Sequence, residues 1–245
     1  MPRAAERSAR AAGVEPGDEL LTLGRRIAVG DPRLDRPPSR VYEVRVREVT
    51  LPWPVAGHPA LELCNTWAGW GGPRQPGAEW LRGYPVLAVW SGHVGLVDDI
   101  TVTALLARAE REPVAAADAL DEARVLRAAL YACLTDPGDR AAFATVAGFA
   151  QQAARLAVLR AEPDGSARWR IPARPAGLRL PALAAGHAAA GLLTDARRHA
   201  VRACASPHCG WLFLDESGRR RWCGLASCGA DADLRHACGD LISRR

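Results

Sequence analysis

The sequence predicts a mainly α-helical body that carries one small β-hairpin and ends in a separate, small, cysteine-rich module. Three observations lead there. Apolar residues recur at helical spacing through a series of segments between about position 60 and position 203. Residues 155–171 (RLAVLRAEPDGSARWRI) break that rhythm with two short strands around Pro163-Asp164-Gly165, where the glycine supplies the positive φ of a tight turn. Four of the seven cysteines fall in one stretch as two pairs of identical spacing, Cys204/Cys209 and Cys223/Cys228.

Taken in order, residues 1–40 are rich in Arg, Pro and Gly and read as a poorly ordered tail. VYEVRVREV (41–49) alternates around Val44 and Val46 as a strand, stopped by Pro52 and Pro54. ALELCNTWAGW (60–70) is apolar on most faces and reads as a buried helix, with Asn65 and Thr66 expected to satisfy backbone groups near its end. A Gly/Pro loop follows, and residues 78–96 bring two more tryptophans. Residues 99–109 and 113–134 read as helices. Asp98-Asp99 is a charged helix N-terminus, and Pro113 opens the second helix, with Leu120, Ala123, Leu126, Leu130 and Leu134 on one face. DPGD (136–139) precedes a helix over about 140–153. After the hairpin, Pro181 opens an alanine-rich helix expected to run to about 203, straight into Cys204. The domain division is therefore 1–40, 41–200 and 201–245.

Hydrophobic residues make up 49% of the 245-residue chain and charged ones 24%, enough for a real core. All 32 basic residues are arginine, which reads first as coding bias rather than as a nucleic-acid signature. The net charge of +5 allows an acidic partner without demanding one. The N-terminus has no apolar core of a secretory signal, and no stretch approaches a membrane span. The expected compartment is the reducing cytoplasm, where clustered cysteines favour metal chemistry over disulfides.

Cys204, Cys209, Cys223 and Cys228 match a closed tetrahedral zinc site with four thiolates. In CASPHCG, Pro207 sets a knuckle, and Gly210 lets the backbone turn past the second sulfur. WLFLD and RRRWC are expected to pair as a hairpin that returns Cys223 to the knuckle. Cys228 then stands near the start of a final helix faced by Leu234, Ala237, Leu241 and Ile242, a treble-clef-like layout. So small a module buries too little surface to fold alone, and one structural zinc supplies what is missing. Four thiolates leave no open position for water, which argues against hydrolytic chemistry at this metal. No nucleotide fingerprint, HExxH or G-x-S-x-G is present, so no catalytic residue is nominated.

These residues resemble a known bacterial family. The C-terminal module is similar to the CGNR-type zinc finger through Cys204-x4-Cys209-Gly210, Phe213-Leu214-Asp215-x-Ser217, Arg221-Trp222-Cys223 and Cys228-Gly229. GHPALELCNTW (57–67) and AEWLRGYPVLAVWSGHVGLVDD (78–99) resemble the ABATE domain that usually precedes that finger and is associated with stress-induced transcription regulation. The resemblance covers about residues 50–240. It departs at Ala230-Asp231, where the family's tetrapeptide has Asn-Arg; the four cysteines are unaffected.

Two functions compete. In the first, the finger contacts DNA through Arg219, Arg220, Arg221 and Arg235, while the helical domain senses a ligand or forms a homodimer. In the second, the chain is a non-enzymatic protein-interaction module whose zinc site only folds the C-terminus. Local charge supports DNA weakly, with seven arginines against five acids in residues 201–245. The resemblance favours the first. On the returning strand Arg219 and Arg221 would share one face, leaving Arg220 to cover Trp222 or pair with Asp215.

Overall fold

The computed structural model describes residues 43–70, 78–206, 209–224 and 228. The expected tail, the final helix, Arg235, the Ala230-Asp231 departure, Pro207 and His208 lie outside the described residues.

The described part is mostly helical with three small two-stranded antiparallel sheets. The expected strand over 41–49 is in fact a hairpin: β1 (Glu43–Val46) pairs with β2 (Val49–Pro52) in the register Val46↔Val49. The turn between them places Arg47 and Glu48 at φ 46° and 66°, which side-chain-bearing residues adopt at a cost. Arg47 helps hold it there by reaching Thr103 Oγ1 and Asp99 Oδ1. A sequence without Gly or Asn at that turn carries no hairpin signal.

Helix α1 (Pro59–Cys64) is shorter than predicted, because Asn65 and Thr66 turn out of it. His58 caps its start, with Nδ1 accepting from the Ala60 amide. Next come α2 (Tyr84–His93), α3 (Asp99–Arg111), α4 (Pro113–Thr135) and α5 (Arg140–Leu156). Asp98 caps α3 by accepting from the Thr101 amide, and Asp139 caps α5 by accepting from Ala142. Strands β3 (Val158–Ala161) and β4 (Ala167–Arg170) form the expected hairpin. A short α6 (Ala173–Ala176) and a 3-10 turn (Gly177–Arg179) lead into α7 (Leu180–Thr194).

Helix α7 is the centre of the body. It is buried on nearly every face, from Leu180 to Ala189 and Leu192, and packs on α1, α4 and α5. Small residues permit that closeness: a Cβ on Gly186 would stand 2.8 Å from the Phe149 Cβ of α5. The helix ends nine residues before the predicted limit of about 203. Asp195 accepts from the Arg197 amide and starts a 3-10 turn (Ala196–Ala200), which delivers the chain as strand β5 (Val201–Ala203). Strand β6 (Leu212–Leu214) pairs with β5 in the register Arg202↔Phe213. No described helix is long and apolar enough to cross a membrane.

Candidate metal centre and its seat

Strands β5 and β6 bring the first cysteine pair together. Cys204 follows β5 directly, Cys209 precedes β6, and the Cys204 amide donates to the Trp211 carbonyl at 2.7 Å. Gly210 has φ 69°, the left-handed conformation that glycine adopts without penalty. The second pair arrives by a route the sequence did not suggest. Residues 219–223 form no strand against β6, because both edges of β6 are already taken. One edge pairs with β5. On the other, Leu212 exchanges two hydrogen bonds with the Asn65 side chain, and the Leu214 amide donates to the Ala56 carbonyl. Asp215 then turns the chain away, accepting from Ser217 Oγ at 2.7 Å and from the Arg220 amide at 2.9 Å. The Ala205 amide donates to the Arg221 carbonyl and fixes the returning segment beside the knuckle.

The four sulfurs of Cys204, Cys209, Cys223 and Cys228 lie within 4.8 Å of one another, and the first three residues are buried. Cys209 and Cys223 sulfurs are 3.6 Å apart, and those of Cys223 and Cys228 are 3.7 Å apart. These distances are far beyond the ~2.05 Å of a disulfide. They match the edge of about 3.8 Å expected of a sulfur tetrahedron around a zinc ion at about 2.3 Å. The donor chemistry agrees. Sulfur–hydrogen bonds from Cys209, Cys223 and Cys228 favour the Cys204 thiolate and pull its pKa down. The Cys209 and Cys223 thiols are pushed up, first of all by their bonds with Cys204. Four thiolates this close repel one another unless a cation sits between them, and a zinc dication bonded to all four offsets half of their charge. The centre is a structural zinc site for one ion.

The site is built into the helical body rather than appended to it. Asn65 acts as a strand residue would. Its Oδ1 accepts from the Leu212 amide at 2.8 Å and its Nδ2 donates to the Leu212 carbonyl at 2.9 Å. Trp211 Nε1 donates to the Trp67 carbonyl, and the Gly69 amide donates to the Cys209 carbonyl. Tyr131 of α4 donates to the Gly210 carbonyl and stacks on Trp70 at 3.9 Å. A Cβ on Gly210 would meet the Trp70 Cβ at 2.9 Å. Trp80 packs edge-to-face on Trp211, closing an apolar shell of Trp80, Trp211 and Phe213 around the cysteines.

Beneath this seat, Arg127 of α4 is buried, bonded to both carboxylate oxygens of Glu79 and to Thr66 Oγ1. Glu62 of α1 is also buried and accepts from the Ala56 amide at 2.6 Å. Burial pushes its carboxyl up to about 7, against the pull of the backbone amides of 55–57 and of Arg220. None of Glu62, Glu79 and Arg127 was singled out from the sequence. A charge inside an apolar run, as Glu62 is in ALELC, was the available signal.

The arginine run divides as its alternation suggested, although not on a strand. Arg220 turns inward. Its guanidinium donates to the carbonyls of Trp222, Cys223 and Val55, and lies 4.2 Å over the Phe213 ring. Arg219 and Arg221 are exposed, Arg221 with its guanidinium 5.5 Å from the Trp222 ring.

Residues 57–196 match the model of the ABATE family, described as "Putative stress-induced transcription regulator". The chain belongs to the ABATE family. Residues 200–237 match the CGNR zinc finger. No curated protein matches the chain. Both descriptions name regulation or zinc rather than a reaction. In this ABATE chain the motif residues Asn65 and Trp67 meet the finger directly, so the two matched regions share one packed boundary.

Proposed function

We propose that this protein is a zinc-dependent, DNA-linked transcription regulator, in which the helical body holds the finger in a fixed pose and Arg219 and Arg221 contact phosphate. The observation that carries this reading is the split of the arginine run. Arg220 spends its donors on carbonyls of the finger and of Val55, while its two neighbours remain exposed and pair with no carboxylate among the described residues. Family membership supports the regulatory part. Arg235 remains a candidate contact on sequence grounds. The reading places the chain in the cytoplasm, where thiols stay reduced and available to zinc, and it leaves room for a homodimer.

The test is salt-dependent DNA binding by the full-length, zinc-loaded protein, since the body supplies walls of the finger. Replacing both Arg219 and Arg221 by Ala is expected to weaken binding to every sequence and to reduce the salt slope by up to about two units. Zinc content stays unchanged. A double variant that binds as the wild type does removes the phosphate role.

A second reading has its own observation. The finger's inner face is consumed by Asn65, Trp67, Tyr131 and Trp80, as in a structural cap. If wild-type protein shows no salt-dependent binding at all, the finger serves as a non-enzymatic interaction module.

A further inference from the structure

On the helical body, a cavity of about 390 Å³ lies between the β3–β4 hairpin, the segment after α2, and α7. That volume falls in the range of small-molecule sites. Its wall is apolar on one side, with Leu96, Val97, Ile171, Leu180, Ala184 and Ala188. The other side carries three arginines of the hairpin, Arg160, Arg168 and Arg170.

Their register is unusual. Arg160 stands directly opposite Arg168, and Arg170 lies two residues along on the same strand face. Like charges directly opposite one another destabilise a strand pair, so this hairpin keeps a repulsive pair at the mouth of a cavity. The neighbouring acids offset only part of it. Glu162 accepts from Arg170 at 2.8 Å and lies 4.0 Å from Arg168. Asp98, on the cavity wall, is committed to the Thr101 amide, a bond that holds its carboxyl below the usual range. Arg160 pairs with no carboxylate among the described residues. Three guanidiniums against two carboxylates leave about one positive charge beside an apolar wall.

We propose that this cavity binds a small organic monoanion, an aryl or branched-chain carboxylate, with the carboxylate between Arg160 and Arg168 and the apolar body against Leu180, Ala184 and Ala188. The guanidinium fork suits a carboxylate, which it can hold through two parallel hydrogen bonds. The single surplus charge and the nearby Asp98 disfavour polyphosphates. The apolar wall gives an anion without a hydrocarbon body nothing to bury. Such a site would make the helical body the ligand-responsive part of the molecule. It does not depend on whether the finger contacts DNA.

The experiment is isothermal titration calorimetry on full-length, zinc-loaded protein, with sodium benzoate and sodium isovalerate as probes and benzamide and inorganic phosphate as controls. At least one carboxylate is expected to bind with a dissociation constant of about 1 mM or tighter. Benzamide and phosphate should each bind at least roughly tenfold more weakly. Arg160→Gln should weaken the carboxylate by roughly tenfold or more, the loss expected for a charge-assisted contact. Ligand-free thermal stability of that variant should hold or rise, because a like-charge pair is relieved. No binding by either carboxylate overturns the proposal, as does phosphate binding as tightly as the better carboxylate. Undiminished binding by Arg160→Gln also overturns it, and a fall in that variant's ligand-free stability would then mark a structural arginine. Because DNA binding is measured separately, failure here leaves the regulator reading standing, and the reverse holds too.

Discussion

Asn65 shows how one side chain can replace a strand. It satisfies both the amide and the carbonyl of Leu212, 147 residues away, at a fully buried position. Replacing it by Ala leaves two buried backbone groups without partners, each worth about 1–3 kcal/mol. Asn65→Ala should therefore lower stability by about 2–5 kcal/mol in urea unfolding of zinc-loaded protein, and a loss under about 1 kcal/mol would contradict this account. Glu62 offers a second residue-scale test. Its folded pKa of about 7 lies above the ordinary glutamate value, so the native state holds the proton more tightly than the unfolded chain does. The resulting stabilisation is fully present below the unfolded pKa and is lost as pH rises through about 7. Glu62→Gln keeps an oxygen for the Ala56 amide but cannot ionise. Measured from pH 6 to pH 8, wild type should lose on the order of 1–2 kcal/mol relative to this variant. Taking the difference between the two proteins cancels the protons exchanged at the zinc thiolates.

At the scale of elements, the returning segment 219–223 is held by the Arg220 side chain and a few single hydrogen bonds rather than by a ladder. Arg220 bonds three carbonyls and covers Phe213. Arg220→Ala removes those bonds and that ring contact together. It should weaken zinc retention against a competing chelator by tenfold or more, on the order of 1.5–3 kcal/mol for hydrogen bonds to a charged group. Arg219→Ala and Arg221→Ala should leave zinc retention unchanged. Equal effects from all three would show that the inward and outward arginines do not differ. Gly210 joins two elements at closer quarters still. Its positive φ and the 2.9 Å approach to Trp70 predict that Gly210→Ala destabilises the finger's seat by about 1–3 kcal/mol.

Across the whole molecule, the helical body and the metal centre depend on one another unequally. The body has its own continuous core around α7, whereas the cysteine cluster has only a small apolar shell of its own. Removing zinc with a strong chelator should therefore leave most helical circular dichroism intact. It should shift tryptophan emission to longer wavelength as Trp211 and Trp80 meet water, and lower the melting temperature in proportion to the lost binding energy. Elemental analysis of the untreated protein should find about one zinc per chain, as a closed four-thiolate site holds. Simultaneous loss of helix and finger on chelation would mean that the body cannot fold without its metal.

The sequence alone determined the metal centre and the broad class. Two cysteine pairs of equal spacing specify four thiolates, because a small module without a core needs a cross-link and zinc demands a tetrahedron. The helices from 99 to 153 and the 158–170 hairpin were legible for a similar reason: proline starts, apolar periodicity and a Pro-Asp-Gly turn all act locally. What packs on what was decided only in three dimensions. WLFLD and RRRWC have the right pattern to pair, yet β6 had already given its edges to β5, Asn65 and Ala56. The end of α7 depended on the Asp195 side chain competing for the backbone, and the β1–β2 turn on Arg47 reaching α3. Backbone hydrogen-bonding groups accept few partners, and a segment far away in sequence can reach them first. Local pattern therefore states which pairings are possible, and the tertiary structure decides which of them are left.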